Sequence, residues 1–204
     1  VGAVFWLYHW SVLRQDSAQA PEAPRQAGVR RIYAYLVAAI GLAVLLTGVG
    51  GLLSILIDLL TTPDTIGLAY YREQAALFIA MIIVGLPIWL VPWRAMQRLA
   101  LLPPGTGDQG EAERRSLVRK IYLYFYVFVG AIAVFSSLGW FVFHVLTALL
   151  GADLPDDFIT QVLDALVISI LAAVVWFYHW WAIRRDGQLA QADQALKLKE
   201  ILVV

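Results

Sequence analysis

Apolar residues fill four long stretches of the chain, 31–60, 75–96, 121–150 and 158–183, and polar or basic residues gather between them. Each stretch holds about 20 or more mostly apolar residues, enough to cross a hydrocarbon core about 30 Å thick. Backbone polar groups in lipid need partners within their own segment, so each stretch is expected to be a helix. Residues 1–13 are also apolar but too short to span, and they end in Arg14. They read as the closing half of a preceding transmembrane helix whose beginning lies outside this sequence. The expected fold is all-α: a polytopic membrane bundle of four full transmembrane helices plus the C-terminal half of an earlier one.

The polar segments alternate in charge. Segments 14–31, 94–120 and 184–200 carry 14 of the 15 Lys and Arg residues, whereas 61–74 and 151–157 are short, acidic and carry only Arg72. By the positive-inside rule the basic side faces the cytoplasm, which makes this a multi-pass protein of the cell inner (cytoplasmic) membrane. Linkers 16–28 and 101–113 are rich in Pro, Gly and polar residues and lack a helical apolar stripe, so they read as loops. In the acidic turns, TTPD (61–64) and ADLPD (152–156) each place an Asp to cap the following helix. Pro87 and Pro92 predict a kink near Gly85–Pro87. Residues 187–204 read as a cytoplasmic tail, an amphipathic or solvated helix.

The chain repeats itself. Ile32-Tyr33-Ala34-Tyr35 aligns with Ile121-Tyr122-Leu123-Tyr124, and the same offset pairs Gly41 with Gly130 and Gly50 with Gly139. A Trp-x-x-x-Trp pair occurs as WLYHW (6–10), WLVPW (89–93) and WFYHW (176–180). The unit is a helical hairpin, complete at 31–100 and at 117–186, with 1–16 as the end of an earlier copy. Both copies enter from the basic side, so the repeats are parallel, unlike the inverted repeats of many transporters. The stretch RRIYAYLVAAIGL, the Pro-Asp turn and the endings FWLYHWSVLRQD and WFYHWWAIRRD resemble an uncharacterised bacterial membrane-domain family built from this hairpin. The middle copy departs from that ending, with Pro92 in place of His and Leu99 in place of Asp. The resemblance implies a multi-span membrane domain and supplies no activity.

Composition narrows the function. The chain is 61% hydrophobic and 15% charged, with a mean hydropathy of +0.73, against about half apolar and a quarter charged for a soluble domain. Zero net charge gives no reason to expect nucleic acid as a partner. With no cysteine there is no disulfide, thiolate metal site or cysteine nucleophile. No H-E-x-x-H, G-x-S-x-G or phosphate-loop motif occurs, so the chain is not expected to be an enzyme, and no metal site is expected. The expected role is a scaffold or accessory subunit in a membrane assembly, its partners being the bilayer and other subunits or further copies of itself.

Three sets of residues are candidates for that role. Trp6, Trp10, Trp89, Trp93, Trp176 and Trp180, followed by Arg14, Arg94, Arg98, Arg184 and Arg185, have the composition of a membrane-interface anchor, indoles at headgroup depth and guanidinium groups reaching phosphates. Ala39, Ala43, Thr47 and Gly51 recur every four residues and are expected to form a helix-packing face. His9 and His179 are repeat equivalents that could ligate haem or chlorin, or meet a quinone, as in a subunit of an electron-transfer or photosynthetic complex. Which cofactor, if any, is not specified by the residues. His144 falls toward the opposite end of its helix. A third reading is a channel or carrier with an acidic vestibule, with Asp58 and Asp164 nearest the membrane.

Overall fold

A computed structural model describes residues 24–61, 67–151 and 153–203. It is all-helical, with no strand among the described residues: α1 (Pro24–Thr61), α2 (Leu68–Ala100), α3 (Asp108–Arg115), α4 (Leu117–Leu149) and α5 (Phe158–Val203). Four of these, α1, α2, α4 and α5, are long and apolar enough to cross a membrane. Their outward faces carry exposed Leu36, Ile40, Ile83, Phe128, Phe135 and Val174, the arrangement expected where the surrounding solvent is hydrocarbon. Trp6, His9, Trp10 and Arg14 lie outside the described residues.

The helices form two antiparallel hairpins, α1 on α2 and α4 on α5, with α1 also packed on α4 and α5. Each hairpin seats a glycine against the first Trp of its Trp-x-x-x-Trp pair. A Cβ on Gly41 would collide with the Trp89 backbone nitrogen and lie 2.7 Å from the Ile88 carbonyl carbon. A Cβ on Gly130 would lie 3.0 Å from the Trp176 Cβ and from the Ala172 oxygen. Of the glycines paired by the sequence offset, Gly41 and Gly130 thus make the same kind of contact, whereas a Cβ on Gly50 would meet only Leu171 at 3.8 Å and one on Gly139 nothing within 4 Å.

The small-residue face differs from the expected one. Ala43 and Thr47 are exposed, and the Thr47 hydroxyl donates to the Ala43 carbonyl of its own helix at 3.0 Å. Gly51 does take the Phe78 ring against it, and Ala39 sits beside the core. A strict four-residue repeat drifts about 40° per step around a helix of 3.6 residues per turn, so Ala39 and Gly51 are about 120° apart. The face that packs alternates four- and three-residue steps: Ala34, Ala38, Gly41, Leu45 and Gly48. Gly85 of α2 completes it, since a Cβ there would lie 2.7 Å from the Leu45 nitrogen and 3.0 Å from the Gly41 oxygen.

The basic-end linkers are more helical than expected. Residues 24–28 belong to α1, and α3 occupies 108–115 within and just beyond the segment expected to be loop. Pro103 and Pro104 stop α2, and Gly105 (φ 78°) and Gly107 (φ 127°) turn the chain into α3 through conformations that cost a glycine little. Helix α3 lacks an apolar stripe because it docks through charge: Glu111, Glu113 and Arg114 are among its buried residues. Asp108 and Glu111 in its first turn and Arg114 and Arg115 in its last also suit the helix dipole. Helix α2 continues through Pro87 and Pro92, and its N-cap is Gly67, not an Asp; Asp64 lies outside the described residues. Asp157 precedes α5, but its carboxylate accepts from the Gln161 side chain at 2.8 Å. Helix α5 runs unbroken for 46 residues, about 69 Å, so the expected tail is a continuation of the last span.

Close backbone contact predicts opposite outcomes for two glycine substitutions. Gly41→Ala should lower stability by about 1–3 kcal/mol, the usual cost of overpacking. Gly187→Ala, with nothing within 4 Å of the added carbon, should raise it by roughly 0.5–1 kcal/mol through helix propensity. Unfolding by SDS titration in mixed micelles measures both, and a Gly41→Ala chain as stable as the parent would contradict the close approach.

Candidate functional site

Arg119, in the first turn of α4, is fully buried at 0% exposure. An unpaired guanidinium there would be prohibitively costly, and the neighbouring helices supply acceptors. Its Nε and Nη2 donate to the two Asp186 oxygens of α5 at 2.6 and 2.9 Å. Nη2 also donates to Gln97 Oε1 of α2 at 2.8 Å, and Nη1 donates to the Tyr35 hydroxyl of α1 at 3.0 Å. Tyr35 passes its own proton on, donating to Glu113 Oε1 of α3 at 2.6 Å, and Arg31 Nε donates to the other Glu113 oxygen at 2.7 Å. One connected network therefore takes at least one residue from each of the five described helices.

A second set of charges fastens α3. Arg114 Nη1 donates to the Ala100 and Leu102 carbonyls at 2.7 and 3.1 Å, satisfying the C-terminal end of α2, and Nη2 donates to Asp193 of α5. Lys197 donates to Glu111 Oε2 at 2.6 Å. Arg115 approaches the other Glu111 oxygen at 2.8 Å as an ion pair without hydrogen-bond alignment. The start of the expected solvated tail is thus pinned to α3 by Asp193 and Lys197.

Beside Arg119 lies an aromatic cluster. Trp93 is 2% exposed, stacked on Tyr122 with centroids 5.1 Å apart, and it donates from Nε1 to the Tyr178 hydroxyl at 2.6 Å. Trp89 Nε1 donates to the Tyr122 hydroxyl at 3.2 Å, and Tyr126 donates to the Ala39 carbonyl at 2.6 Å. The Arg119 guanidinium lies 5.6 Å from the Trp93 ring centroid. His179 is 1% exposed and stacks on Tyr126 with centroids 4.9 Å apart. Its Nδ1 meets the Val175 carbonyl at 2.7 Å; a carbonyl can only accept, so Nδ1 carries the proton. Its Nε2 is buried without a partner among the described residues. His179 and Asp186 are seven residues apart and so lie on one face of α5, which turns the His…Asp spacing of the motif into a single buried seam.

The expected site residues are therefore divided by the fold. Trp93 faces the protein interior, not the rim, and Trp89 is half-buried with its N–H committed to Tyr122. Trp176 and Trp180 stack with centroids 6.4 Å apart, and Trp180 is 38% exposed. Arg184 lies 4.2 Å over the Trp180 ring and Arg185 5.1 Å over that of Trp181. Arg94 and Arg98 are exposed. His179 has no open face: Trp93, Tyr122, Tyr126 and Tyr178 all lie within 6.0 Å of its ring centroid. At the acidic end, Asp164 accepts from Ser54 at 2.8 Å and Thr160 donates to Thr61 at 2.7 Å, joining α1 to α5. His144 stays on α4, its ring 4.0 Å from that of Trp140.

Arg119, Glu113 and Gln97 are absent from the residues that the sequence singled out, and Tyr35 entered only as part of the repeat. The available signal was the acids at the basic end, Glu111, Glu113, Asp186 and Asp193, which a count of Lys and Arg passes over. Asp186→Asn should cost about 3–5 kcal/mol, because it leaves Arg119 buried with its main counter-charge gone. Arg184→Gln, outside the network, should leave stability within error. An unfolding midpoint of Asp186→Asn in detergent equal to that of the parent would refute the role of the buried pair.

No curated protein matches the chain, and no solved structure does. One family model does match, over residues 31–174, which takes in all of α4, the second span, most of the first and the opening of the last. With well over half its length covered, the chain belongs to the family described as a domain of unknown function (DUF5671).

Proposed function

We propose that this chain is a non-catalytic integral membrane protein of the cytoplasmic membrane, a scaffold or accessory subunit that packs its spans against other subunits or further copies of itself. One observation carries the reading: the buried charges of the basic end are spent on one another across all five described helices, while the outward faces of the four spans remain apolar and uncovered. Such a bundle is fixed at one end and leaves its spans facing lipid, where neighbouring helices can pack against them by close fit rather than by hydrophobicity. The concentration of Lys and Arg at that end supports placing it in the cytoplasm.

A second reading, a cofactor-binding subunit, is favoured by one atom, the His179 Nε2, which has no partner among the described residues. A tetrapyrrole there would have to displace the Tyr126 or Trp93 ring, so a Soret band in protein purified from its native membrane would require the aromatic cluster to open.

Two measurements test the leading reading. Purification from the native membrane in mild detergent should yield a complex larger than the monomer, and a monodisperse monomer at every gentle condition would count against a scaffold. The chain has no cysteine, so Thr106→Cys and Asp156→Cys report orientation cleanly. A membrane-impermeant maleimide should label position 156 in intact cells and position 106 only after lysis. The reverse pattern would overturn the orientation.

A further inference from the structure

At the basic end a cleft of about 350 Å³ opens beside α2 and reaches Tyr178 of α5; Trp89, Trp93, Arg94, Gln97 and Arg98 contribute to its walls. Ligand cavities begin at about 300 Å³. Among the described residues the cleft's polar lining is rich in donors and contains no carboxylate. Arg94 and Arg98 lie one turn apart on α2, exposed, and neither has an ion pair or hydrogen bond to any described residue. That sets them apart from their neighbours at this end: Arg31, Arg114 and Arg119 are held by carboxylates, and Arg184 and Arg185 lie over indole rings. The Gln97 oxygen is occupied by Arg119, which leaves its amide N–H groups as the free end. The Tyr178 oxygen accepts from Trp93, which leaves its hydroxyl proton available to donate. Two uncompensated guanidinium groups flanked by neutral donors form a site for an oxyanion.

A second feature specifies the kind of anion. A trough of about 210 Å³ runs along the same helix toward the middle of the span, lined by Leu86, Pro87, Leu90, Val91 and Arg94. It shares Leu90 and Arg94 with the cleft, so Arg94 stands at the junction of a chamber of mixed polar and apolar lining and an almost wholly apolar one. A free phosphate has no use for the trough. An acyl chain attached to a phosphate does.

We infer that this composite groove binds one anionic phospholipid, its phosphate held by Arg94 and Arg98 and the start of one acyl chain lying against Leu86, Pro87, Leu90 and Val91. The inference rests on the chain being an integral membrane protein and deepens that reading by naming a lipid class and the residues that select it. Basic pockets at helix ends select anionic headgroups by charge, and each exposed guanidinium adds a modest, additive attraction.

Native mass spectrometry of the full delipidated chain, titrated with phosphatidylglycerol, phosphatidylcholine or inorganic phosphate, tests it. Phosphatidylglycerol should bind about tenfold more tightly than phosphatidylcholine. Arg94→Gln/Arg98→Gln should abolish that preference, Arg94→Lys/Arg98→Lys should keep part of it, and Arg184→Gln/Arg185→Gln should leave it intact. Because Arg94 and Arg98 touch no described partner, the unfolding midpoint of the glutamine variant should match the parent. Equal binding of the two lipids by the parent, or a preference that survives the glutamine variant, would overturn the site. Inorganic phosphate competing as well as phosphatidylglycerol would show a free-anion site and overturn the lipid assignment. A chain stripped from membranes by carbonate would sink the membrane reading itself, whereas one that resists carbonate but shows no lipid preference sinks only this inference.

Discussion

A guanidinium group taken wholly out of water imposes a condition on everything around it. Desolvating a charge costs several kcal/mol even after the protein relaxes, and only close, well-directed acceptors offset it. Arg119 meets that condition by taking acceptors from three other helices, and Tyr35 extends the chain to a fourth through Glu113. Between helices in lipid there is no hydrophobic driving force, because the surroundings are as apolar as the side chains. What fixes the helices relative to one another is then close packing and directed polar contact. This chain has both, in the Gly41–Gly85 crossing near mid-span and in the Arg119 network at the basic end.

The two hairpins share a glycine seated against a Trp and differ in chemistry, and the network explains why. The motif's His and Asp occur in the last copy as His179 and Asp186, both buried, one among aromatic rings and the other on Arg119. In the middle copy Pro92 and Leu99 stand at those places. A second Asp on α2 is not needed for Arg119, since Gln97 already supplies a neutral acceptor from that helix. Trp93, next to Pro92, instead becomes the centre of the aromatic cluster, stacked on Tyr122 and bonded to Tyr178. The departures from the repeat let the two hairpins meet without competing for the same partners.

Much of the architecture was legible in the sequence because span length and apolar content report directly on crossing a membrane. The four spans and the equivalence of Gly41 and Gly130 followed from period and offset alone. Helix α3 did not, because an element held by ion pairs has no apolar stripe to detect, and its glycine- and proline-rich approach reads as loop. The small-residue face was misplaced by assuming a strict four-residue step where the helix needs alternating fours and threes. Trp93 read as an interfacial residue because an indole suits headgroup depth and a buried aromatic cluster equally; only the positions of Tyr122 and Tyr178 decide between them. Arg119 was hidden for a related reason. One arginine among many at a basic end looks like an orientation signal until its carboxylate partner, 67 residues away, is brought to it.

The two ends of the bundle are consequently held by different kinds of force. Hydroxyl contacts join α1 to α5 at the acidic end, Ser54 to Asp164 and Thr160 to Thr61, each contributing on the order of 1 kcal/mol or somewhat more where a charge accepts. At the basic end every described helix is tied to the others through charged groups, whose hydrogen bonds are roughly twice as strong. Among the described residues, the denser set of charge-assisted contacts makes the basic end the fixed point. A site meant to hold its geometry belongs at the fixed point. The Arg94–Arg98 cleft lies there, one wall built on Gln97 and Tyr178, both already positioned by the network and the aromatic cluster behind them.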